Sequence, residues 1–384
     1  MNRFTPPTKS RRWRSPCQGG CLLRPASGQA GVQSCQSPPG VWRQRKGLAV
    51  TISVKDVAAL AQVSVGTVSN VLNRPGKVAP ATVERVQAAI DELGFVRNDA
   101  ARQLRAGRSR SIGLVVLDVR NPFFTDVARG AERRAAADDL SILLGNSDDD
   151  PARESGYLDL FEQQRVHGVL ITPVDDVTAR LEGLRARGIP AVLVDRPSDG
   201  SDFSSVSVDD VSGGFLAARH LIETGRRRLA FVGGPPAVRQ VADRLEGARR
   251  AVAGHPDASL EVIETAALSV LEGRAAGERL RDREPAARPD AVFAANDLLA
   301  VGVLQALVML GSVAVPDDIA IIGYDDIDFS AATVVPLSSI RQPSELLGHR
   351  AVELLLAEVE GTETREQVVF QPELVVREST RARR

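Results

Sequence analysis

The pattern of apolar and polar positions between Val54 and Leu72 predicts two short helices joined by a tight turn. Two narrow apolar stripes recur at helical spacing, at Val57, Ala58, Leu60, Ala61, Val63, Val68, Val71 and Leu72. Each stripe is too narrow to be stable alone, so the helices must pack on each other and on a third helix. Ser64 is expected to cap the second helix, because its hydroxyl can accept a hydrogen bond from an amide of the first turn.

The outer face of the second helix carries only small or polar side chains, at Val65, Gly66, Thr67, Ser69 and Asn70. A third helix is predicted to begin near Pro80 and to end at Gly94, with Phe95 packed beneath the unit. A second helix with such a face, held by a first, is what a DNA-binding helix-turn-helix needs to enter a major groove.

From Ile112 onward the pattern changes to short apolar runs that alternate with amphipathic helices. The predicted strands are Ile112–Val116, Ser141–Leu144, Gly168–Ile171, Ala191–Val194, Arg228–Val232, Ala291–Phe293 and Ala320–Ile322. The predicted helices between them include Phe124–Asp138, Gly213–Glu223 and Leu298–Leu310. This alternation predicts an α/β fold with parallel sheets covered on both faces, and its length favours two lobes.

Polar side chains follow several of the predicted strands, at residues 118–124, 195–196, 296–297 and 325–326. In open parallel sheets, ligands bind at the carboxyl ends of the strands. Carboxylates and arginines bind vicinal hydroxyls, and the rings of Phe123 and Phe124 can cover the apolar side of a sugar. These groups predict a sugar-binding site, although for Asp297 alone we favour a helix N-cap.

Charge is distributed unevenly along the 384-residue chain. Residues 1–50 hold nine basic and no acidic side chains, residues 51–110 hold nine and five, and residues 111–384 hold 30 and 44. A basic front on an acidic body suggests an anionic partner at the front. We interpret residues 1–50 as a disordered basic extension, which is either a start-site artefact or an arm with non-specific DNA affinity.

No sequence motif points to catalysis, nucleotide binding, metal binding or export. The three cysteines, Cys17, Cys21 and Cys35, lack histidines at zinc spacing, and no run is long enough to span a membrane. We therefore expect no cofactor, no metal and no enzymatic activity. The alternatives are a sugar-binding module or an α/β enzyme acting on a sugar, with Asp195 or Asp325 as the general base.

Short motifs in a shared order resemble the LacI/GalR family of transcriptional regulators from about residue 52 to 380. They are KDVAALAQVSVGTVSNVLN, AARQLRAGRSRSIGLVV, NPFF at 121–124, VDR at 194–196, RLEG at 244–247, AAND at 294–297, IGYDD at 322–326, SIRQP at 339–343 and a closing strand like LVVREST at 374–380. The resemblance implies a helix-turn-helix domain at 51–97, a hinge at 98–110 and a two-lobed periplasmic-binding-protein-like domain at 111–384.

The resemblance also implies roles in DNA binding. Val65 and Gly66 would read base edges with Asn70 close by, and since the family most often has arginine there, Asn70 favours adenine over guanine. Ser64, Thr67 and Lys77 match phosphate-contacting positions. Leu104 matches a hinge leucine that wedges into the minor groove, with Ala101 and Arg105 as its neighbours. Gln62 replaces the usual turn glycine and is expected to adopt a positive φ.

The second implied site is the effector pocket of the ribose-binding type. Its residues would be Asn121, Phe123, Phe124, Asp195, Arg196, Arg244, Leu268, Asn296, Asp325 and Gln342. Leu268 stands where the ribose type has a second stacking ring, which argues against a pentose and leaves a small cyclic polyol or sugar. Arg244 is expected to serve only this pocket.

These roles imply a cytoplasmic, nucleoid-associated homodimer that binds a pseudo-palindromic operator as a repressor and is controlled by a small ligand, expected to be a sugar. The sequence leaves open whether the ligand releases the protein from DNA or drives it onto DNA.

Overall fold

The computed structural model describes residues 52–95, 109–198, 200, 202–309, 313–361 and 365–381. The chain divides into two compact units, Met1–Val96 and Arg97–Arg384. The extension at 1–50 and the hinge residues Ala101, Leu104 and Arg105 lie outside the described residues. Within the described part, no helix combines the length and the apolar character that crossing a bilayer requires.

The first unit is a three-helix bundle built on the predicted helix pair. Its elements are α1 (Val54–Leu60), α2 (Val65–Asn73), a short 3-10 turn (Pro75–Lys77) and α3 (Pro80–Leu93). Its core holds Val57, Ala58, Ala61, Val68, Val71, Val86, Ala89 and Phe95. The expectation that Leu60 belongs to an inner face is wrong, because this side chain is 42% exposed at the end of α1.

The ends of these helices follow the local chemistry that the sequence indicates. The Ser64 hydroxyl accepts a hydrogen bond from the Thr67 amide at 3.0 Å, which confirms the predicted cap of α2. Gly94 ends α3 in a left-handed conformation with φ 61°, as predicted. Gln62 has φ 54°, so the turn does hold a side chain in a region that favours glycine.

The second unit alternates strands and helices over its whole length. Its first part contains β1 (Ser111–Val116), α4 (Pro122–Ala136), β2 (Ser141–Asn146), α5 (Pro151–Gln163), β3 (Gly168–Ile171), α6 (Thr178–Ala186), β4 (Ala191–Val194) and β5 (Ser204–Val208). Next come α7 (Asp210–Glu223), β6 (Arg228–Gly233), α8 (Arg239–Ala253), β7 (Ser259–Glu264), α9 (Val270–Arg281), a 3-10 turn (Pro285–Ala287), β8 (Ala291–Ala294) and α10 (Asp297–Leu304), which continues as a π-helix (Gln305–Met309). The last elements are β9 (Ala320–Asp325), α11 (Asp328–Ala331), β10 (Ser338–Arg341), α12 (Ser344–Glu360), β11 (Gln367–Phe370) and β12 (Glu373–Val375).

These strands form two six-stranded sheets, one in each lobe. Lobe 1 has the order β11-β5-β4-β3-β1-β2, and lobe 2 has β12-β10-β9-β8-β6-β7. All described strand pairs are parallel except β10 with β12. The chain passes between the lobes three times, at residues 208–210, 341–344 and 370–373. The predicted two-lobed architecture is therefore confirmed.

Five strands escape the sequence prediction in whole or in part. β5, β7, β10 and β11 have no counterpart among the predicted strands, because their serines, glutamates or glutamine interrupt the apolar runs. The closing strand implied at 374–380 is shorter and earlier, at Glu373–Val375. The helix predicted at Leu298–Leu310 is regular only to Leu304.

Three helix pairs in the second unit cross so closely that each helix presents a glycine to its partner. The pairs are Gly130 with Gly348 (α4 and α12), Gly214 with Gly247 (α7 and α8), and Gly273 with Gly302 (α9 and α10). A Cβ on Gly247 would lie 2.0 Å from the Val211 carbonyl oxygen, and one on Gly214 would lie 2.0 Å from the Arg244 carbonyl oxygen. The α7–α8 crossing thus fixes the helix that carries Arg244.

Gly247→Ala should destabilise the protein by about 1–3 kcal/mol, because the new methyl group meets backbone atoms that cannot move independently. Chemical denaturation of the second unit measures this change. Gly156→Ala in α5 is the matched control, since a Cβ there has nothing within 4 Å. The control should stabilise the protein by about 0.5–1 kcal/mol, as expected for removing glycine from a helix interior. An alanine at 247 as stable as the wild type would contradict the crossing geometry.

Candidate functional site

A cavity of about 50 Å³ lies between the two lobes, at the carboxyl ends of the strands. Eight of the predicted ligand residues line it: Asn121, Phe123, Phe124, Asp195, Arg244, Leu268, Asn296 and Asp325. Gln342 stands behind the lining and donates a hydrogen bond to Asp325 at 2.8 Å. Arg196 is not brought to this cavity; it lines a separate pocket of lobe 1 with Asp176 and Phe203.

Arg244 is the buried cation of the site, only 4% exposed on α8. Its Nε donates to Asp210 at 2.8 Å, and one Nη donates to the Ala295 carbonyl at 2.8 Å and lies 3.8 Å from an oxygen of Asp325. Its guanidinium carbon lies 3.7 Å from the centre of the Tyr324 ring. The expectation that Arg244 serves only the pocket is therefore wrong, because the same group neutralises a buried carboxylate and joins three elements of lobe 2.

Burial dominates the acid–base behaviour of these groups. It raises the pKa of Asp325 to about 6, although Arg244 and the hydrogen bonds from Asn121 and Gln342 oppose the shift. Burial also raises the pKa of Asp195, and repulsion from the Asp210 carboxylate adds to it. Burial acts to lower the pKa of Arg244. The neighbouring carboxylates raise this pKa by more than burial lowers it, so the guanidinium stays charged.

Two contacts join the lobes directly across the cavity. Asn121 of lobe 1 donates to Asp325 of lobe 2 at 2.9 Å. Gln240 of lobe 2 donates to the carbonyl and the carboxylate of Asp195 of lobe 1, at 2.8 and 2.9 Å. A cavity of this volume holds only a few water molecules. A ring-sized ligand could bind here only by displacing these contacts and taking over their hydrogen-bonding groups.

Both asparagines of the site also cap helices. The side-chain oxygen of Asn121 accepts from the Phe123 amide at 3.1 Å, at the start of α4. That of Asn296 accepts from the Leu299 amide at 3.0 Å, while its nitrogen donates to the Leu268 carbonyl at 3.3 Å. Capping holds both side chains in fixed orientations at the cavity wall.

The N-cap interpretation of Asp297 is wrong, because Asn296 occupies that position and Asp297 is the first residue of α10. The buried Asp297 carboxylate instead accepts hydrogen bonds from the Ile327 amide at 3.0 Å and from the hydroxyls of Ser330 and Ser339 at 2.6 and 2.8 Å. These hydrogen bonds hold the segment after β9 against β10. Sequence reasoning could not find this role, since its partners lie 30 or more residues away.

The aromatic part of the lining is confined to one end of α4. Phe123 and Phe124 are buried, with ring centroids 5.0 Å apart in an edge-to-face arrangement. Leu268 completes the apolar wall from lobe 2. This wall can cover one face of a small ring.

Several site residues were missed by the sequence prediction. Gln240 lies one helical turn before Arg244, so spacing alone could have placed it on the same face. Asp210 follows the unpredicted β5, and Tyr324 precedes Asp325 on β9. Asp149 comes from the loop after β2. Among the described residues, no group of three or more histidine, cysteine, aspartate or glutamate side chains could hold a metal ion.

The predicted DNA-contacting residues lie together on α2 and just beyond it. Val65 is 45% exposed, and Gly66, Asn70 and Lys77 are also exposed. The Ser64 and Thr67 hydroxyls lie 2.9 Å apart at the start of α2. The head thus presents a small polar helix face with a helix N-terminus and a lysine at its ends.

The pH dependence of stability should change when Asp297 is replaced by asparagine. Burial raises the pKa of Asp297 to about 7, and repulsion from Asp325 adds to the shift. Such a carboxyl stabilises the folded state most at low pH, and this contribution is lost as pH rises from about 4 through 7. Asp297→Asn should therefore become more stable relative to wild type between pH 5 and 8, by up to a few kcal/mol at about 1.4 kcal/mol per pKa unit.

Thermal unfolding of both proteins across this range measures the difference. The exposed Asp328 of α11 supplies the control, because Asp328→Asn makes the same chemical change on the surface and leaves the buried carboxyl in place. A constant difference between Asp297→Asn and wild type would contradict the raised pKa.

Comparisons with known proteins bear out the resemblance. The family model for bacterial regulatory proteins of the lacI family matches residues 53–98, and that for the periplasmic binding protein-like domain matches residues 218–380. The ribose operon repressor of Bacillus subtilis is 37% identical over 321 residues, which cover 83% of this chain and 95% of that protein. The HTH-type transcriptional repressor PurR of Aliivibrio fischeri is 33% identical over 334 residues, covering 85% and 98%.

Solved structures agree. The lac repressor dimer bound to operator and the anti-inducer ONPF has a TM-score of 0.75 at 28% identity, covering 86% of this chain and 99% of that one. A LacI family transcriptional regulator from Enterococcus faecium with bound ribose has a TM-score of 0.63 at 30% identity, covering 70% and 98%. The chain belongs to the LacI family of bacterial transcriptional regulators, with a helix-turn-helix head and a periplasmic-binding-protein-like domain.

Proposed function

We propose that this regulator is a cytoplasmic, homodimeric repressor that acts at the nucleoid and whose operator affinity is controlled by a small sugar. Its parts are a DNA-binding head at 51–97, a hinge at 98–110 and an effector and dimerisation domain at 111–384. The observation that carries the proposal is the inter-lobe cavity, where carboxylates, amides, a buried arginine and two phenylalanines converge. Such a lining suits a ring that bears several hydroxyls.

The head reads DNA through a sparse set of side chains. Val65 and Gly66 offer little beyond contact with a thymine methyl group, and Asn70 can pair with adenine. Ser64, Thr67 and Lys77 set the register by contacting phosphates. The remaining specificity comes from the hinge, where Leu104 opens a base step at the operator centre, flanked by Ala101 and Arg105, and from the deformability of that step. Two-fold symmetry of the dimer requires a pseudo-palindromic operator.

The effector is proposed to bind through Asp195, Arg244, Asn296, Asp325 and the two phenylalanines, with Gln342 and Leu268 in support. The relatives of this regulator include ribose operon repressors and a ribose-bound regulator. Leu268 in place of an aromatic ring favours another small sugar or cyclic polyol over ribose. Arg196 stays a proposed contact only for a conformation in which the segment after β4 turns toward the cavity.

Ligand binding and DNA binding are coupled through the lobes. A sugar that takes over Asp325 and Asp195 removes their direct contacts with Asn121 and Gln240 and so resets the angle between the lobes. Across the dimer, that angle sets the separation of the two hinges and whether they can fold on DNA. Coupling of this kind amounts to about 1–3 kcal/mol and acts equally in both directions.

Leu104→Ala should weaken binding to the specific operator on the order of 10- to 100-fold, because only the specific complex contains the opened base step. The operator is obtained by selecting duplexes from a random pool with the wild-type protein. Fluorescence anisotropy then measures both proteins on this operator and on a scrambled duplex of equal length. Affinity for the scrambled duplex should not change; an equal loss on both duplexes would refute the wedge.

The proposed dimer draws on exposed apolar side chains of lobe 2. Four of them are 64–75% exposed: Leu271, Met309, Phe329 and Val334. Phe329→Glu should convert the dimer to a monomer in sedimentation velocity, because it places a charge in the apolar contact. Val369→Glu on β11 of lobe 1, where the valine is 54% exposed, should leave the dimer intact. A dimeric Phe329→Glu protein would show that Phe329 does not lie in the interface.

A further inference from the structure

Asp149 is an exposed residue that lines the cavity on lobe 1, in the loop between β2 and α5. Its backbone is left-handed with φ 57°, and so is that of Asp148 with φ 55°. Two consecutive non-glycine residues in this region cost free energy, and such strain persists where the surroundings hold it in place. The strained loop places the Asp149 carboxylate along the cavity lining.

The other charged groups of the lining have partners. Arg120 donates to Asp118 at 2.9 Å and to Asp148 at 2.8 Å. Arg244 is held by Asp210 and the Ala295 carbonyl. Asp195 accepts from Gln240, and Asp325 accepts from Asn121 and Gln342.

Asp149 differs from these groups in having no partner at all, although one oxygen of the buried Asp195, Oδ1, also lacks a hydrogen-bond partner among the described residues. Within the described part of the chain, its carboxylate has no hydrogen bond and no ion pair. It is thus a solvent-exposed acceptor of the cavity lining, and a hydroxyl group of a ligand can donate to it in place of solvent.

The balance of charge around the cavity opposes an anionic ligand. Four carboxylates line it, at Asp118, Asp149, Asp195 and Asp325, against the two guanidinium groups of Arg120 and Arg244. Both cations are already engaged, and residues 111–384 contain no lysine that could supply another. Burial raises the pKa of Asp149, and the carboxylates of Asp118 and Asp148 add to the shift. An additional negative charge is therefore unfavourable at this part of the cavity lining.

We infer that Asp149 contacts the effector and selects an uncharged sugar over its phosphorylated counterpart. The carboxylate accepts a hydrogen bond from a sugar hydroxyl, and it repels a phosphate group on the same ring. This inference rests on the proposed function only in that the effector binds in the inter-lobe cavity.

Isothermal titration of the full-length protein with three matched pairs tests the inference: D-ribose and D-ribose 5-phosphate, D-glucose and D-glucose 6-phosphate, and D-fructose and D-fructose 6-phosphate. At least one neutral sugar should bind, and its phosphate should bind about 100-fold more weakly or not at all. Asp149→Asn should weaken binding of the neutral sugar about 10-fold, as expected for loss of a charge-assisted hydrogen bond. The same substitution should reduce the difference in affinity between the neutral sugar and its phosphate.

Asp139→Asn is the matched control, because Asp139 has the same left-handed backbone with φ 55° and pairs with Arg110, and it does not line the cavity. It should bind both forms as the wild type does. Three results would each overturn the inference. They are tighter binding of a phosphorylated sugar than of its neutral form, an unchanged affinity of Asp149→Asn for the neutral sugar, and binding of none of the six compounds. Operator selection is carried out both with and without the bound sugar, so a protein that binds sugar but selects no operator under either condition would refute the proposed function alone.

Discussion

The effector domain depends on one buried charge. The Arg244 guanidinium can remain out of water only because Asp210, the Ala295 carbonyl and the Tyr324 ring surround it, with Asp325 close by. Those partners come from the start of α7 and the ends of β8 and β9, so the arginine fixes the floor of the cavity. Removing one partner of a buried pair typically costs about 3–5 kcal/mol, because the other charge stays buried without compensation.

The same requirement explains how ligand recognition can be linked to lobe movement. Polar groups that face each other across a narrow cavity must be satisfied, either by each other or by a ligand. Asn121 donates to Asp325 and Gln240 donates to one carboxylate oxygen of Asp195, each across the gap between lobes, while the other oxygen of Asp195 has no hydrogen-bond partner among the described residues. A hydroxylated ring offers the same hydrogen bonds at a larger spacing. Occupancy of the cavity and the angle between the lobes are therefore aspects of one equilibrium.

Local chemistry was predictable where the partners are neighbours in sequence. The Ser64 cap, the left-handed Gln62 and the Gly94 stop depend on residues within a few positions. The strand-end rule also located six ligand residues, because parallel strands bring their carboxyl ends to one edge of a sheet: Asn121, Phe123, Phe124, Asp195, Asn296 and Asp325. Arg244 and Leu268 were expected only from the family resemblance. Asp297 shows where local patterns fail: its own pattern suits a cap, but its three partners come from a later loop, helix and strand.

The sequence by itself determined the alternation of strands and helices, the helix-turn-helix and the family, because periodicity and motif order are properties of the chain. Only the tertiary structure decided that Arg196 turns away, that Asp210 joins the site, and that Asp149 lines the cavity with no partner among the described residues. The position of Arg244 depends on the close glycine contact between α7 and α8, and the meeting of the lobes at the cavity depends on the three passages between them. Both are distances between residues far apart in sequence, and no local pattern of side chains encodes them.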